Sequence, residues 1–583
     1  MKITYSLRVP NPATQVISLS IVLEEFSEEF LLFTMPAWTP GSYLVRDFAK
    51  NVRRFGARTM EGFPVEFTKK DKSTWKVNTR GLSSISVNYE VYAADLTVRT
   101  SHVDSHHIFI TGTSVFMYIE GYKDQAVELQ ITPIENWRVS TTLERIADAR
   151  YRAINYDLLV DSPIEIGNHR ILEFKAAGKD HEIIIDGTCN CDEETLKSDF
   201  AKIVEAHAKV MGQPLYRKYQ FIIHLVNNGT GFGGLEHLNS CAVIFGGTLF
   251  RDEKYYRQFL ETISHEYFHS WNVKRIRPVE LGPFNYREEN YTNWLWFCEG
   301  ITQLFGALAV MRAGLMTKDH FYREISVIVN DMALEPGAWT TSLGESSFDS
   351  WIRFYKPSPD DYNTYVSYYT KGELIGLIMS IQISDQTRGG RSIDDLFHLL
   401  AEKFRKDGRG FTEKDILALL KEITGQDYSD FFRRYIKGHE EPDLSLEFAK
   451  AGLRLEHSKP DAKPRKTAGI IIRKDGEKYL VQGILETYPG FESGINAGDE
   501  IVAINGVRMG EQFTFKPFED HSILLDTSPF YGDTGITVTF FRKGFLQTAA
   551  VPELGDVGPE IGLREIIDAP EVQVRTRNKV LGL

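Results

Sequence analysis

A multidomain α+β protein is predicted, with an all-β N-terminal domain, a mostly helical middle and a small β-rich C-terminal domain. Three observations predict it. Residues 1 to about 185 alternate apolar and polar positions with β-branched and aromatic enrichment, as in ISLSIVL, HIFITGTSVFMYI and HEIIIDG, which is the period of strands. From about 192 to 450 the apolar residues recur at helical spacing, as in ETLKSDFAKIVEAHAKVMG. Alternation returns in TAGIIIRKDG, KYLVQGIL, DEIVAING and TGITVTFFRKG, after SKPDAKPRK at 458–466, whose lysines and prolines read as a linker.

These shifts place a β-sandwich-like domain at 1–188, a mostly helical domain at 189–455 and a β domain with its linker at 456–583. In the first, TMPAWTPGSYLVRDF carries a stiff turn at Pro36, Pro40 and Gly41 and reads as packing, without chemistry. In the second, Ser392 with Asp395 and Thr412 with Asp415 have the spacing of capped helix starts. A chain of 583 residues with 42% apolar content and 71 aromatic side chains can bury several cores, which excludes wholesale disorder. The net charge of −13, with no long basic run, excludes nucleic acid and anionic membrane surfaces as main partners. Four cysteines (Cys189, Cys191, Cys241 and Cys298) are too few for a disulfide framework and suggest a reducing compartment. The first 26 residues alternate and lack the apolar core of a leader, so a cytoplasmic, soluble protein is expected.

The chemistry concentrates in YYRQFLETISHEYFHSWN. Histidines at 265 and 269 stand four apart, about 40° around a helix, and can turn two imidazoles toward one ion. Tyr256, Phe259, Leu260, Ile263 and Tyr267 gather on the other side for packing. Zinc suits imidazole and carboxylate ligands that leave one position for water, and Glu266 then reads as the general base. A third ligand is needed. Glu299 lies in the apolar run NYTNWLWFCEGITQLFGALAVM, where a lone carboxylate is costly unless neutralised, and is the best candidate. Glu280, Glu288 and Glu289 sit in a polar connection and read as solvated.

These motifs resemble the gluzincin metallopeptidases, in which HExxH is completed by a glutamate on a second helix, and more narrowly the glycyl aminopeptidase family. LWFCEG resembles the segment holding the third ligand in the related aminopeptidase N group. The 29 residues between His269 and Glu299 exceed the interval of that group and match the glycyl aminopeptidases better. The resemblance implies a thermolysin-like catalytic domain at 189–455 and one zinc ion per chain, held by His265, His269 and Glu299. It implies that Gly233-Gly234-Leu235-Glu236-His237 is an exopeptidase strand. There Glu236 would hold the substrate's free ammonium while Gly233 and Gly234 lie along the peptide. His237, where the aminopeptidase N group has asparagine, stays unassigned. It also implies an oxyanion donor at Tyr369, the tyrosine preceding Lys371-Gly372, with Tyr368 as runner-up. The expected reaction is release of N-terminal glycine or alanine from peptides with a free N-terminus. A zinc endopeptidase and a catalytically silent scaffold are the alternatives.

Gly498-Asp499 followed by a strand and by Asn505-Gly506 resembles a PDZ segment, and Gly506 suits a turn that needs positive φ. The resemblance implies that this domain takes a C-terminal peptide or an intramolecular ligand by strand addition, with Thr467 to Ile472 nearest to a carboxylate loop.

Overall fold

A computed structural model describes residues 1–227, 233–404, 408–458, 465–517, 523–526 and 534–583. In chain order, β-sheet regions at the N- and C-terminal ends flank a mostly helical middle, a multidomain α+β architecture. The chain forms two compact units whose segments interleave: residues 1–291, 305–316 and 397–412 make one, and residues 292–304, 317–396 and 413–583 the other.

The first unit begins with an eight-stranded sheet and two four-stranded sheets. Strands Lys2–Arg8 and Val16–Glu24 pair antiparallel, and the alternation written in the sequence becomes a buried face of Ile3, Tyr5, Leu7, Ile17, Leu19, Ile21 and Leu23. Two phenols buried in this core are satisfied by backbone carbonyls: Tyr5 donates to Met117 at 2.7 Å and Tyr89 to Val115 at 3.0 Å.

A five-stranded sheet follows, ordered Arg170–Ala176, Lys179–Asp186, Lys218–Val226, Ser240–Gly246 and Gly233–Glu236. Its three middle strands run parallel, and two of them, Lys218–Val226 and Ser240–Gly246, are buried nearly throughout, as expected of a sheet covered on both faces. It draws strands from both sides of residue 188. A buried ionic joint ties this sheet to the preceding β region. Glu165 meets His107 Nδ1 at 2.9 Å and His224 Nε2 at 3.0 Å, and Asp186 lies 3.5 Å from His107 Nε2.

The helix Glu253–Phe268 is started by Asp252, whose side chain accepts from the Tyr255 N–H, and ends one residue before His269. Phe259, Leu260, Ile263 and Tyr267 are buried. Helix Ile301–Arg312 approaches it through Gly306, where a Cβ would come within 3.3 Å of the His265 nitrogen. Ser264 Oγ donates to the Gly306 carbonyl at 2.9 Å and lies 2.8 Å from His207 Nε2. Burial lowers the His207 pKa to about 3, so this imidazole is neutral and serves the helix contact.

The second unit holds the helices Lys318–Leu334, Thr370–Gln386 and Glu413–Thr424 and a nine-stranded C-terminal sheet. Asp395 accepts from the Ser392 N–H at 2.9 Å, one half of the expected capping box. Asp499 is buried and accepts from Arg542 at 2.8 and 2.7 Å, and Asn505 and Gly506 turn the chain with φ of 48° and 76°. Thr467 to Ile472 lies inside the strand Arg465–Asp475 instead of forming a loop.

Cys189 and Cys191, two residues apart, are bridged, with their Cα atoms 5.3 Å apart. Cys241 and Cys298 are buried and unbridged. Among the described residues no helix is long and apolar enough to cross a membrane.

Candidate metal centre and amine pocket

His265 and His269, on the last turn of their helix and the residue that closes it, bring their Nε2 atoms to 3.0 Å. His269 Nδ1 lies 2.6 Å from the backbone carbonyl of Asn272 and donates to it, which fixes the tautomer and leaves Nε2 with its lone pair. Asn272 thus acts through its main chain, a role no side-chain reading of the sequence could supply.

Glu299 stands in a π-helical turn, Trp296–Gly300, just ahead of helix Ile301–Arg312. One ligand atom each from His265, His269 and Glu299 lie within 4.8 Å of one another, and all three residues are buried. Two imidazoles and a carboxylate, converging and shielded from water, are the donor set of a catalytic zinc site. Glu280 and Glu288 and Glu289 are not in the cluster.

A second convergence overlaps the first: Glu236, Glu266 and His269 also bring ligand-type atoms within 4.8 Å of one another. Glu236 ends the edge strand Gly233–Glu236. It is 3% exposed, and its Oε1 is buried with no hydrogen-bond partner among the described residues. The Lys274 ammonium offsets part of its charge from a distance, but an oxygen with no bonded donor still favours an incoming cation. Gly234, two residues earlier, touches the general-base candidate so closely that a Cβ there would lie 2.6 Å from Glu266 Cγ.

Two features of the pocket escaped the sequence reading. Gly41, in the segment read as packing only, has φ of +89°, and a Cβ on it would fall 2.5 Å from Glu236 Oε1. The turn at Pro40-Gly41 is therefore a wall of the Glu236 pocket, and only a residue without a side chain fits there. Asp161 is the other. It receives Lys274 Nζ and the Leu238 N–H, each at 2.8 Å, and lies 3.2 Å from His237 Nδ1. Burial alone would raise the Asp161 pKa, but Lys274 and then His237 outweigh it and hold it at about 2. Lys274 is pulled the other way: burial lowers its pKa, and the charges of Asp161 and Glu236 more than restore it. His237 is thus a bonded wall residue beside Glu236.

In the second unit, Gly300 packs so tightly on the start of helix Thr370–Gln386 that a Cβ would lie 2.6 Å from Gly372 Cα and 2.7 Å from the Tyr368 carbonyl. This sets Tyr368 near Glu299. Tyr368 is fully buried, its hydroxyl has no hydrogen-bond partner among the described residues, and burial, the adjacent tyrosines and the Glu299 charge push its pKa well above 10. Tyr369 is half-buried and stacks with Tyr368 and Phe354.

Comparison with known proteins follows the same lines. The model of the M61 peptidase N-terminal domain matches residues 4–168, and that of M61 glycyl aminopeptidase matches residues 258–375, which span His265, Glu266, His269, Glu299 and Tyr369. No curated protein sequence matches the chain. A crystal structure of an aminopeptidase N family protein from Idiomarina loihiensis is similar over 98% of this chain and 99% of that one, at 26% identity and a TM-score of 0.88. The M1 zinc metallopeptidase of Deinococcus radiodurans is similar over 76% of this chain and 95% of its own, at 10% identity and a TM-score of 0.47. With both M61 models matching and the His265–His269–Glu299 cluster in place, the chain is similar to the M61 glycyl aminopeptidases and carries the donor set of a zinc metallopeptidase.

Proposed function

We propose that this protein is an aminopeptidase that releases the N-terminal residue, glycine or alanine, from peptides with a free amino end. The observation that carries the proposal is the buried, unpartnered Oε1 of Glu236, set beside Glu266 and His269. A substrate ammonium supplies the missing charge and donors. A blocked N-terminus supplies neither, so the pocket selects against internal peptide bonds.

One zinc ion per chain, held by His265, His269 and Glu299, would supply Lewis acidity toward the substrate carbonyl and ease ionisation of the attacking water. The rest is done by side chains of this chain. Glu236 fixes the amino end. Gly233 and Gly234 put no side chain on the strand edge, so the peptide backbone lies against it beside Arg99, which donates to the Gly234 carbonyl. Glu266 takes the proton of the attacking water and hands it to the departing amine. Tyr369, which keeps part of its surface accessible where Tyr368 is sealed, donates to the carbonyl oxygen as it gains charge.

The same proposal covers domain character: a β-sandwich-like region at 1–188, a thermolysin-like region at 189–455 and a PDZ-like region at 456–583. The last is supported by the buried Asp499 and by the Asn505-Gly506 turn, and would take a peptide end or a segment of this chain.

The test compares glycyl and alanyl arylamides with their N-acetylated forms, using metal-loaded wild type and Glu236→Ala. Wild type should cleave only the free amines, and the variant should lose that preference by about 100-fold, the scale of a buried charge pair. Equal cleavage of acetylated substrates by wild type would replace the aminopeptidase with an endopeptidase.

A further inference from the structure

Arg99 lies at the open edge of the strand that ends in Glu236. Its Nη2 donates to the Gly234 carbonyl at 3.3 Å, and its Nη1 is 3.8 Å from the position a Cβ on Gly233 would occupy. Among the described residues no carboxylate pairs with this guanidinium, its Nε is buried without a partner, and residues 228–232, Asn-Gly-Thr-Gly-Phe, hold no acid. A half-buried arginine with unused donors is uncommon unless an anion is due to arrive.

Register shows where that anion would sit. The His237 N–H bonds the Ser240 carbonyl at 2.8 Å, and antiparallel pairs alternate between bonded and open. Leu235 and Gly233 therefore bond to Ser240–Gly246, while Glu236 and Gly234 turn their main-chain groups to the open edge. A peptide whose amino end is at Glu236 passes Glu266 level with Gly234, so its cleaved bond lies there and the remaining chain runs toward Gly233. With the first peptide bond level with Gly234, strand spacing of about 3.3 Å per residue puts the carboxylate of a dipeptide one residue further, level with Gly233 and Arg99 Nη1, and that of a tripeptide one residue beyond it.

We propose that Arg99 binds the C-terminal carboxylate of short substrates, so that di- and tripeptides with a free carboxyl end are the preferred class. This rests on the aminopeptidase reading above. Arg99 is then a specificity residue that measures peptide length against Glu236, with one ion pair at each end of the substrate.

The test measures kcat/KM for Gly-Ala and Gly-Ala-Ala, each as free acid and as C-terminal amide, with wild type, Arg99→Gln and Arg99→Lys. Wild type should favour the acids by about 10-fold or more, the value of a charge-assisted hydrogen-bonded pair. Arg99→Gln should bring the acid-to-amide ratio close to one, chiefly through KM, and Arg99→Lys should keep part of it. Because the ratio is taken within one variant, partial loss of folded enzyme cancels. Wild type without acid preference, or an Arg99→Gln loss equal on acids and amides, would make Arg99 a brace for the strand and overturn the proposal. N-acetylated forms of the same peptides separate the two readings. Cleavage of these sinks the aminopeptidase, whereas retained free-amine dependence without carboxylate selectivity sinks Arg99 alone.

Discussion

Gly41→Ala tests the amine pocket from outside it. The new methyl group would start 2.5 Å from Glu236 Oε1, on a backbone held at φ of +89°. The carboxylate must recede by about 1 Å to restore ordinary contact, and the left-handed conformation costs an L-residue roughly 1–2 kcal/mol. A substrate ammonium about 3 Å from the carboxylate would then stand about 4 Å away. At an effective dielectric near 20, that separation weakens the pair by about 1.4 kcal/mol, close to tenfold in binding. Steady-state kinetics on a glycyl arylamide should therefore show KM raised about tenfold with kcat much less affected, since neither Glu266 nor the histidines are touched. Thermal unfolding on the same sample reports whether the backbone strain was incurred. An unchanged KM in a protein that melts lower would mean that Glu236 does not hold the substrate's amino group.

Three further outcomes are expected. Glu266→Gln should keep stoichiometric zinc by elemental analysis and lower kcat by about 10² to 10⁴, the range for loss of a general base; wild-type turnover would remove Glu266 from the mechanism. Asp161→Asn leaves the buried Lys274 ammonium without its carboxylate and should destabilise by about 3–5 kcal/mol in urea unfolding, a loss under 1 kcal/mol contradicting the assignment. Because the folded pKa of Asp161 is depressed to about 2, its share of stability is fully present above the unfolded value near 3.8 and lost as pH falls toward 2. The wild-type acid limb should therefore contain a slope between those values that the variant lacks.

What the sequence could show depended on distance along the chain. His265, Glu266 and His269 were legible because helical geometry relates residues four apart without any tertiary knowledge. Glu299 was legible by a different argument, the cost of one acid in an apolar run, although a π-helical turn of five residues is too short to distinguish from ordinary helix by periodicity. Gly41 and Arg99 were not legible. Each reaches the strand Gly233–Glu236 across more than a hundred residues, and nothing local marks a proline-glycine turn or a single arginine as its neighbour. The alternation at 170–186 correctly indicated strands, but period cannot tell which sheet a strand joins. These strands lie beside Lys218–Val226 in the five-stranded sheet, not in the sheets before them. The turn at Asn505-Gly506, set by local φ preferences, appeared where it was expected.

The buried joint of His107, Glu165 and His224 limits how this enzyme can be recombined. Its three members come from separate stretches of chain, and Glu165 is shared by both imidazoles, so no cut between residues 107 and 224 yields two self-sufficient halves. Chimeras between relatives would have to exchange the whole triad or none of it. A graft that splits it would strand an ionisable group in a dry interior and would fail as a folding problem long before its catalysis could be judged.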